Sequence, residues 1–303
     1  MKKTCLIHFY FILMFIADYK FMLLKRMVHI KCRDIFYPFS EVKRFQIKDE
    51  QVPWSVILNE YDPPEYNSKV LINKPWADPP INDSIFNPKW NQLDGKINRQ
   101  SHTGTYNIVD GRPLNPEGRT GITGRGVLGK WGPNHAADPV VTRWKMDNNL
   151  KVINKTTNLP ILQFCAIQRK DSKQWAIPGG MVDPGEKVNE TLQREFQEEA
   201  LNSLQTSKEQ AERDAQLIKD FFKTGVEIYK GYVDDPRNTD NAWMETVVYN
   251  FHDDDGRHVG KFNLTAGDDA QNVTWMDVDR NIDLYASHSS FIKAVVDKLG
   301  SHW

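Results

Sequence analysis

Cysteine is scarce in this chain. The three residues Cys5, Cys32 and Cys165 among 303 have no metal-ligand spacing and cannot form a disulfide framework, so a reducing compartment is allowed. Charge of one sign is missing as well. With 39 basic and 40 acidic residues the net charge is -1, which offers neither the basic excess of a nucleic-acid binder nor a charge block suited to a membrane surface. Long apolar runs are absent too. Lys2 and Lys3 precede one run, Cys5–Ala17, which meets Asp18 and Lys20 and is too short to span a bilayer comfortably. It has the form of a signal-peptide core behind a basic start, without a small-residue cleavage site. Residues 1–28 are therefore expected to be a leader or targeting segment outside the folded part. No internal repeat is visible.

What is present divides near residue 130. Residues 29–130 are rich in Pro, Gly, Asn and aromatics with little periodicity, and they carry too many aromatics for a linker. A loop-rich N-terminal domain is expected there. Its most glycine-rich stretch, Gly111 to Gly126, interleaves Arg112, Arg119 and Arg125 but has no Gly-Lys-Ser/Thr ending, so it is not a P-loop. Two readings stay open: guanidinium and backbone N–H groups approaching phosphates, or an Ω-like structural loop. From 131 to 303 the pattern predicts strands at 139–145, 160–168, 226–233, 242–251 and 272–278, and helices at 187–201, 206–223 and 287–299. A mixed sheet covered by helices follows, an α/β class. Hydrophobic content of 40% suffices for its core.

The chemistry concentrates at 180–201. Gly180 is followed after five residues by Glu186, and after seven more by Arg194-Glu195-Phe196, then Glu198-Glu199-Ala200-Leu201. Val188, Leu192 and Phe196 give a helical apolar stripe. Glu195, Glu198 and Glu199 stand at i, i+3 and i+4, which predicts three carboxylates on one helical face away from that stripe. Carboxylates so close repel unless cations lie between them, and hard oxygen donors favour Mg²⁺, with Mn²⁺ as a substitute. Pro178-Gly179-Gly180 and Pro184-Gly185 would bring backbone carbonyls, Gly180 included, to the same ions. The rival reading is a solvated acidic helix face; the fixed spacing and the preceding loop argue against it.

This spacing resembles the Nudix box, with Ala200 where the box usually has Gly. If that position is helical, Ala gains about 1 kcal/mol of propensity. The resemblance implies a Nudix α/β/α sandwich, catalysis by Glu195, Glu198 and Glu199, and an Arg194 that orients a box glutamate such as Glu186. It also implies a loop carboxylate, Asp268 or Asp269, that positions water; Asp269 is the candidate carried forward. Three further segments are more specific: Glu227 to Thr246, Gly129 to Pro139, and Leu284 to His288. They resemble the family of animal mitochondrial ADP-ribose pyrophosphatases and the ADP-ribose-binding domains of melastatin-type cation channels, from about residue 36 to Trp303. That likeness implies Mg²⁺-dependent cleavage of ADP-ribose to AMP and ribose 5-phosphate, and a mitochondrial location; the signal-like leader gives secretion as the alternative, and a monomer is expected. It implies a nucleotide cleft lined by Asp235, Arg237, Tyr285 and His288. Arg237 suits a phosphate, Tyr285 a stacked adenine, and Asp235 and His288 hydrogen bonds to ribose or base. Asp235-Pro236-Arg237-Asn238 also reads as a plain turn, and His288 as a neighbour of a helix cap. Hydrolysis of another nucleoside diphosphate derivative, or a non-catalytic sensor, are the competing functions. The intact Arg194-Glu195-Phe196 favours the enzyme.

Overall fold

The computed structural model describes residues 30–200, 208–259, 264, 266 and 270–303. Residues 1–28, where a leader is expected, lie outside them. Among the described residues no helix is long and apolar enough to cross a membrane.

Two strands, β1 (Glu65–Asn67) and β2 (Thr123–Gly126), pair in parallel in the N-terminal region. Among the described residues, three two-residue ladders form at Leu93–Asp94 with Ile97–Asn98, Ile108–Val109 with Arg112–Pro113, and Met146–Asp147 with Leu150–Lys151, and seven further strands build one mixed sheet. They are β3 (Gly132–Trp144), β4 (Leu162–Arg169), β5 (Trp175–Ala176), β6 (Gly180–Met181), β7 (Val226–Tyr232), β8 (Ala242–Asp253) and β9 (Ala270–Asp277). The order β5-β4-β3-β8-β7 forms the main path, β6 pairs with β3, and β9 pairs with β4. Within this sheet, among the described residues, β3 and β8 are the pair that runs parallel, in unbroken register from Gly132↔Ala242 to Arg143↔Asp253. The sequence pattern starts β3 at 139. Its first half, Gly-Pro-Asn-His-Ala-Ala-Asp, has poor strand propensity and is held extended by this long pairing with β8, an override of local preference by tertiary context.

Alternation divides the core. Val140, Phe164 and Val248 point to one face, under Phe291, Ile292 and Val295 of α3 (His288–Leu299). Val141, Cys165 and Phe251 point to the other, where Leu192 and Phe196 of α1 (Val188–Ala200) and Ile218 and Phe221 of α2 (Lys208–Phe221) cover them. Period-two side-chain direction thus produces helix, sheet and helix layers. The α/β/α expectation agrees with this arrangement.

The N-terminal region has little regular structure, so other groups satisfy its backbone. Arg119 donates to the carbonyls of Gln51, Pro53 and Val56 at 2.8–2.9 Å, and Arg125 donates to those of Asp78 and Gly129. Glycine is required where chains cross most closely. A Cβ on Gly121 would sit 2.2 Å from the Phe45 carbonyl oxygen, and one on Gly124 2.4 Å from that of Tyr66, both at positive φ. Arg112 pairs with Glu65 at 3.1 Å. Of the two readings of Gly111–Gly126, the geometry is that of a structural loop, and none of the three arginines lines the cavity described next.

Candidate active site

The box helix α1 carries its glutamates differently from the simple face expected. At 100° per residue, Glu195 and Glu199 fall among Val188 and Leu192, and both are buried. Glu198 alone is exposed, with 55% of its side chain accessible. The expectation of three carboxylates away from the apolar stripe is corrected: two are pressed toward the sheet, next to β6. Gly179 and Gly180 make this possible. A Cβ on Gly180 would stand 2.4 Å from the Glu195 carboxylate, and one on Gly179 would stand 2.0 Å from an Asp138 carboxylate oxygen. The Gly179 N–H also donates to Glu199 Oε2 at 3.0 Å.

Arg194 organises the outer part. Its Nε and Nη2 grip both oxygens of Glu186 at 2.9 and 3.0 Å, and Thr191 and the Asp183 N–H also donate to that carboxylate. The Arg194 fork holds the Glu186 carboxyl down to about 2. Nη1 of Arg194 reaches Glu195 at 2.7 Å and Glu198 at 3.1 Å. With those two drawn onto the guanidinium, the three box glutamates do not lie within 4.8 Å of one another as a set. Burial nonetheless pushes the Glu195 carboxyl upward, against Arg194. Buried carboxylates beside a side-chain-free Gly-Gly backbone form a hard oxygen donor set, which fits a divalent cation of the Mg²⁺ class.

The glutamates open onto a cavity of about 430 Å³. Arg237 enters from the opposite wall on the Asp235–Asn238 turn, closed by an Asn238 N–H to Asp235 carbonyl bond of 3.0 Å. Turn and site residue are therefore the same feature. Asp235 is buried and accepts Nε and Nη2 of Arg237 at 2.8 and 2.7 Å. Both of its oxygens help to fix that guanidinium. Nη1 of Arg237 makes no hydrogen bond among the described residues and remains for an anion. The turn is held from behind by the N-terminal region. Tyr37 donates to the Arg237 carbonyl at 2.7 Å, and buried Arg44 donates to the carbonyls of Pro236 and Asn238 at 2.7 and 3.1 Å.

Tyr285 lines the same cavity, with its hydroxyl 3.4 Å from Asp235 and one ring face under the Arg169 guanidinium at 4.4 Å. His288 also lines it, but its Nδ1 accepts the Ile177 N–H at 3.0 Å. Burial, with Arg169 nearby, lowers its imidazole to about 3. It is neutral, its proton lies on Nε2, and it anchors the strand leading into the Gly-Gly turn. Asp269, like Asp268 and the box residue Leu201, lies outside the described residues.

Sequence reading missed two residues here. Arg169 ends β4, and its only local signal is the Arg169-x-Asp171 pair that forms a fork at 2.8–3.0 Å. Asp138 lies in the half of β3 that the pattern did not recognise. Fully buried, it accepts from Thr246 at 2.5 Å, and burial raises its carboxyl to about 7.

Comparison with known proteins identifies the family. A family model described as "NUDIX domain" matches residues 152–295, and one described as "NUDT9-like, N-terminal domain" matches 47–132. A rat protein named mitochondrial ADP-ribose pyrophosphatase is 53% identical over 278 residues, covering 91% of this chain and 79% of its own. The chain belongs to the Nudix family. A Caenorhabditis elegans relative named putative nudix hydrolase 6 is 48% identical, with 88% of this chain and 95% of that one covered. A Nematostella vectensis protein named transient receptor potential cation channel subfamily M member-like 2 is 52% identical over 89% of this chain, but only 18% of its own length is matched. This Nudix chain also superposes on a MutT/nudix family protein from Enterococcus faecalis, with a TM-score of 0.39, 20% identity, and 55% and 62% of the two chains covered. That likeness is too loose to argue from.

Proposed function

We propose that this Nudix chain hydrolyses the pyrophosphate bond of ADP-ribose to AMP and ribose 5-phosphate, with Mg²⁺ as its ion and Mn²⁺ as a substitute. The observation that carries the reading is the convergence of Glu195, Glu198, Glu199 and Arg237 on one cavity, in a chain 53% identical to a protein named for that reaction. Residues 29–130 and 131–303 act as two domains, with the first bracing the second. Glu195, Glu198 and Glu199, with the Gly180 backbone, hold the ions. When bound, they neutralise pyrophosphate charge and acidify the attacking water. Arg194 keeps Glu186 ionised and positions the outer glutamates. Arg237 meets a phosphate oxygen through Nη1, an interaction that strengthens as charge develops on the leaving oxygen. Tyr285 offers its remaining face to the base.

The substrate is a small molecule rather than nucleic acid, the enzyme acts as a monomer, and the named location of the rat relative supports mitochondria. A second reading, a sensor that binds without turnover, is favoured by the 52% identity to the anemone channel protein. One experiment separates them: the full chain with Mg²⁺, assayed on ADP-ribose, NADH and nucleotide sugars with product identification. Preferred release of AMP and ribose 5-phosphate supports the proposal. Binding of ADP-ribose without turnover would replace it with the sensor, and preference for another diphosphate would replace the substrate.

A further inference from the structure

A second cluster of ligating side chains lies away from the box. His135 of β3 and Glu245 of β8 are register partners on the two parallel central strands. His102, from the N-terminal region, reaches over them. One ligand atom from each of the three lies within 4.8 Å of the others.

Glu245 is completely buried. It accepts from Ser101 Oγ and the His102 N–H at 2.6 Å and from Trp243 Nε1 at 2.7 Å. Among the described residues the one basic group within 4.0 Å is His135, whose Nε2 is 3.7 Å from Glu245 Oε2. That is too long for a hydrogen bond. The His135 ring bonds the Gln100 backbone, and its Nε2 is buried without a partner. The bonded nitrogen is therefore Nδ1, which carries the proton, and Nε2 presents a lone pair toward a carboxylate. His102 Nε2 is likewise buried and unpartnered. Two buried imidazole nitrogens without hydrogen-bond partners, beside a buried carboxylate that is hydrogen-bonded but has no lysine or arginine within 4.0 Å among the described residues, are costly, and a cation held by all three side chains relieves that cost. Nitrogen and oxygen ligands of a tetrahedral ion at about 2.0–2.1 Å lie about 3.4 Å apart, close to the separation seen. A backbone carbonyl on the outer ring nitrogen is also the usual support of a metal-ligating histidine.

We propose that His102, His135 and Glu245 bind one divalent ion of borderline softness, Zn²⁺ by its donor set, which clamps the N-terminal region onto the central strands. The two imidazoles now stack at 4.6 Å and 13°, so ligation turns the His102 ring on its surface loop while His135 and Glu245 stay fixed by the sheet.

The test uses the full chain stripped with chelator, reloaded with Zn²⁺ and desalted. Wild type and Glu199→Gln should each retain about one more equivalent of zinc than His102→Gln. Zinc at a hundred times its Kd should raise the wild-type Tm by roughly 5–10 °C, and His102→Gln should lose most of that rise. Equal zinc content and equal shifts in wild type and His102→Gln would overturn the site, as would loss of all zinc in Glu199→Gln. Cobalt substitution of wild type gives a reading that needs no variant. An intense visible band of a four-coordinate nitrogen and oxygen site is expected, and only the weak band of an all-oxygen octahedral site would overturn the proposal.

Discussion

Arginine is used in opposite ways on the two sides of residue 130. In the N-terminal region Arg119 donates to three backbone carbonyls, and Arg99 forms a fork on Asp78 at 2.8–2.9 Å with both side chains 2% exposed. There Arg119 supplies hydrogen bonds that a sheet would have supplied, and Arg99 is neutralised by buried Asp78, neither of them at the wall of the cavity onto which the box glutamates open. On the other side Arg194 and Arg237 fork onto carboxylates at the wall of a cavity, and Asp138 is buried there with no lysine or arginine within 4.0 Å among the described residues. The difference teaches that guanidinium burial alone does not mark function. What marks it is uncompensated charge beside open volume.

The sharpest break of this contrast is Glu199→Gln. The Gly179 N–H can still be accepted by the amide, and one negative charge leaves a crowded cluster, so the fold should be kept. Turnover should fall by about two or more orders of magnitude, equivalent to roughly 3 kcal/mol or more of transition-state stabilisation. Wild-type kcat would remove this residue from the chemistry and reduce the acidic cluster to a surface feature.

Asp138 sharpens the same point through pH. Its folded pKa of about 7 stands above the ordinary value of 3.8, so the folded state holds its proton more tightly than the unfolded chain. Stability is then fully present below about pH 4, declines as pH rises toward about 7, and is level above. The decline attributable to this group is at most about 4 kcal/mol. Denaturant titration of metal-free protein at pH 5 and pH 8 checks it: Asp138→Asn should lose less stability between the two than wild type. Parallel pH dependence in the two proteins would show that Asp138 ionises normally.

Arg237→Ala is expected to lower kcat/KM for ADP-ribose by roughly one to two orders of magnitude, as for a charge-assisted bond to phosphate, with little change in Mg²⁺ affinity. An equal loss of Mg²⁺ affinity would place Arg237 with the box instead.

Much of this was legible in the sequence. The box spacing located α1 and its glutamates, and five strand patterns located most of the sheet, because apolar alternation reports burial on two faces. The polar half of β3 was not legible, since its extension depends on pairing with β8, and Asp138 and His135 went unread with it. Nor could the Gly111–Gly126 stretch be decided. Arg119 near glycine looks the same in sequence whether its partner is a phosphate or a distant carbonyl. Asp235 and His288 line the cavity, but their contacts with Arg237 and the Ile177 N–H are tertiary facts that no local pattern carries.

Paired substitutions test the seam between the regions. Arg44 donates to Pro236 and Asn238 behind Arg237, whereas Arg119 donates only within the N-terminal region. Both Arg44→Met and Arg119→Met strand buried carbonyls and should cost about 1–3 kcal/mol or more of stability. Only Arg44→Met should also raise KM, by several-fold, with kcat less affected. Equal KM changes in the two variants would mean that the region acts on the site through overall stability alone.

The smallest expected effect separates two roles for Tyr285. One ring face is under Arg169, so a stacked base has only the other face, and a lost stacking contact is worth about 1–3 kcal/mol. Tyr285→Ala should therefore weaken kcat/KM for ADP-ribose by roughly tenfold and change a diphosphate substrate without adenine much less. Tyr285→Phe keeps the ring and loses only the 3.4 Å contact to Asp235, so it should stay near wild type on both substrates. If Tyr285→Ala harms the two substrates alike, the ring acts by packing over Arg169 and Arg237. The aromatic side chain would then belong with the bracing residues of the N-terminal region, not with those that meet the substrate.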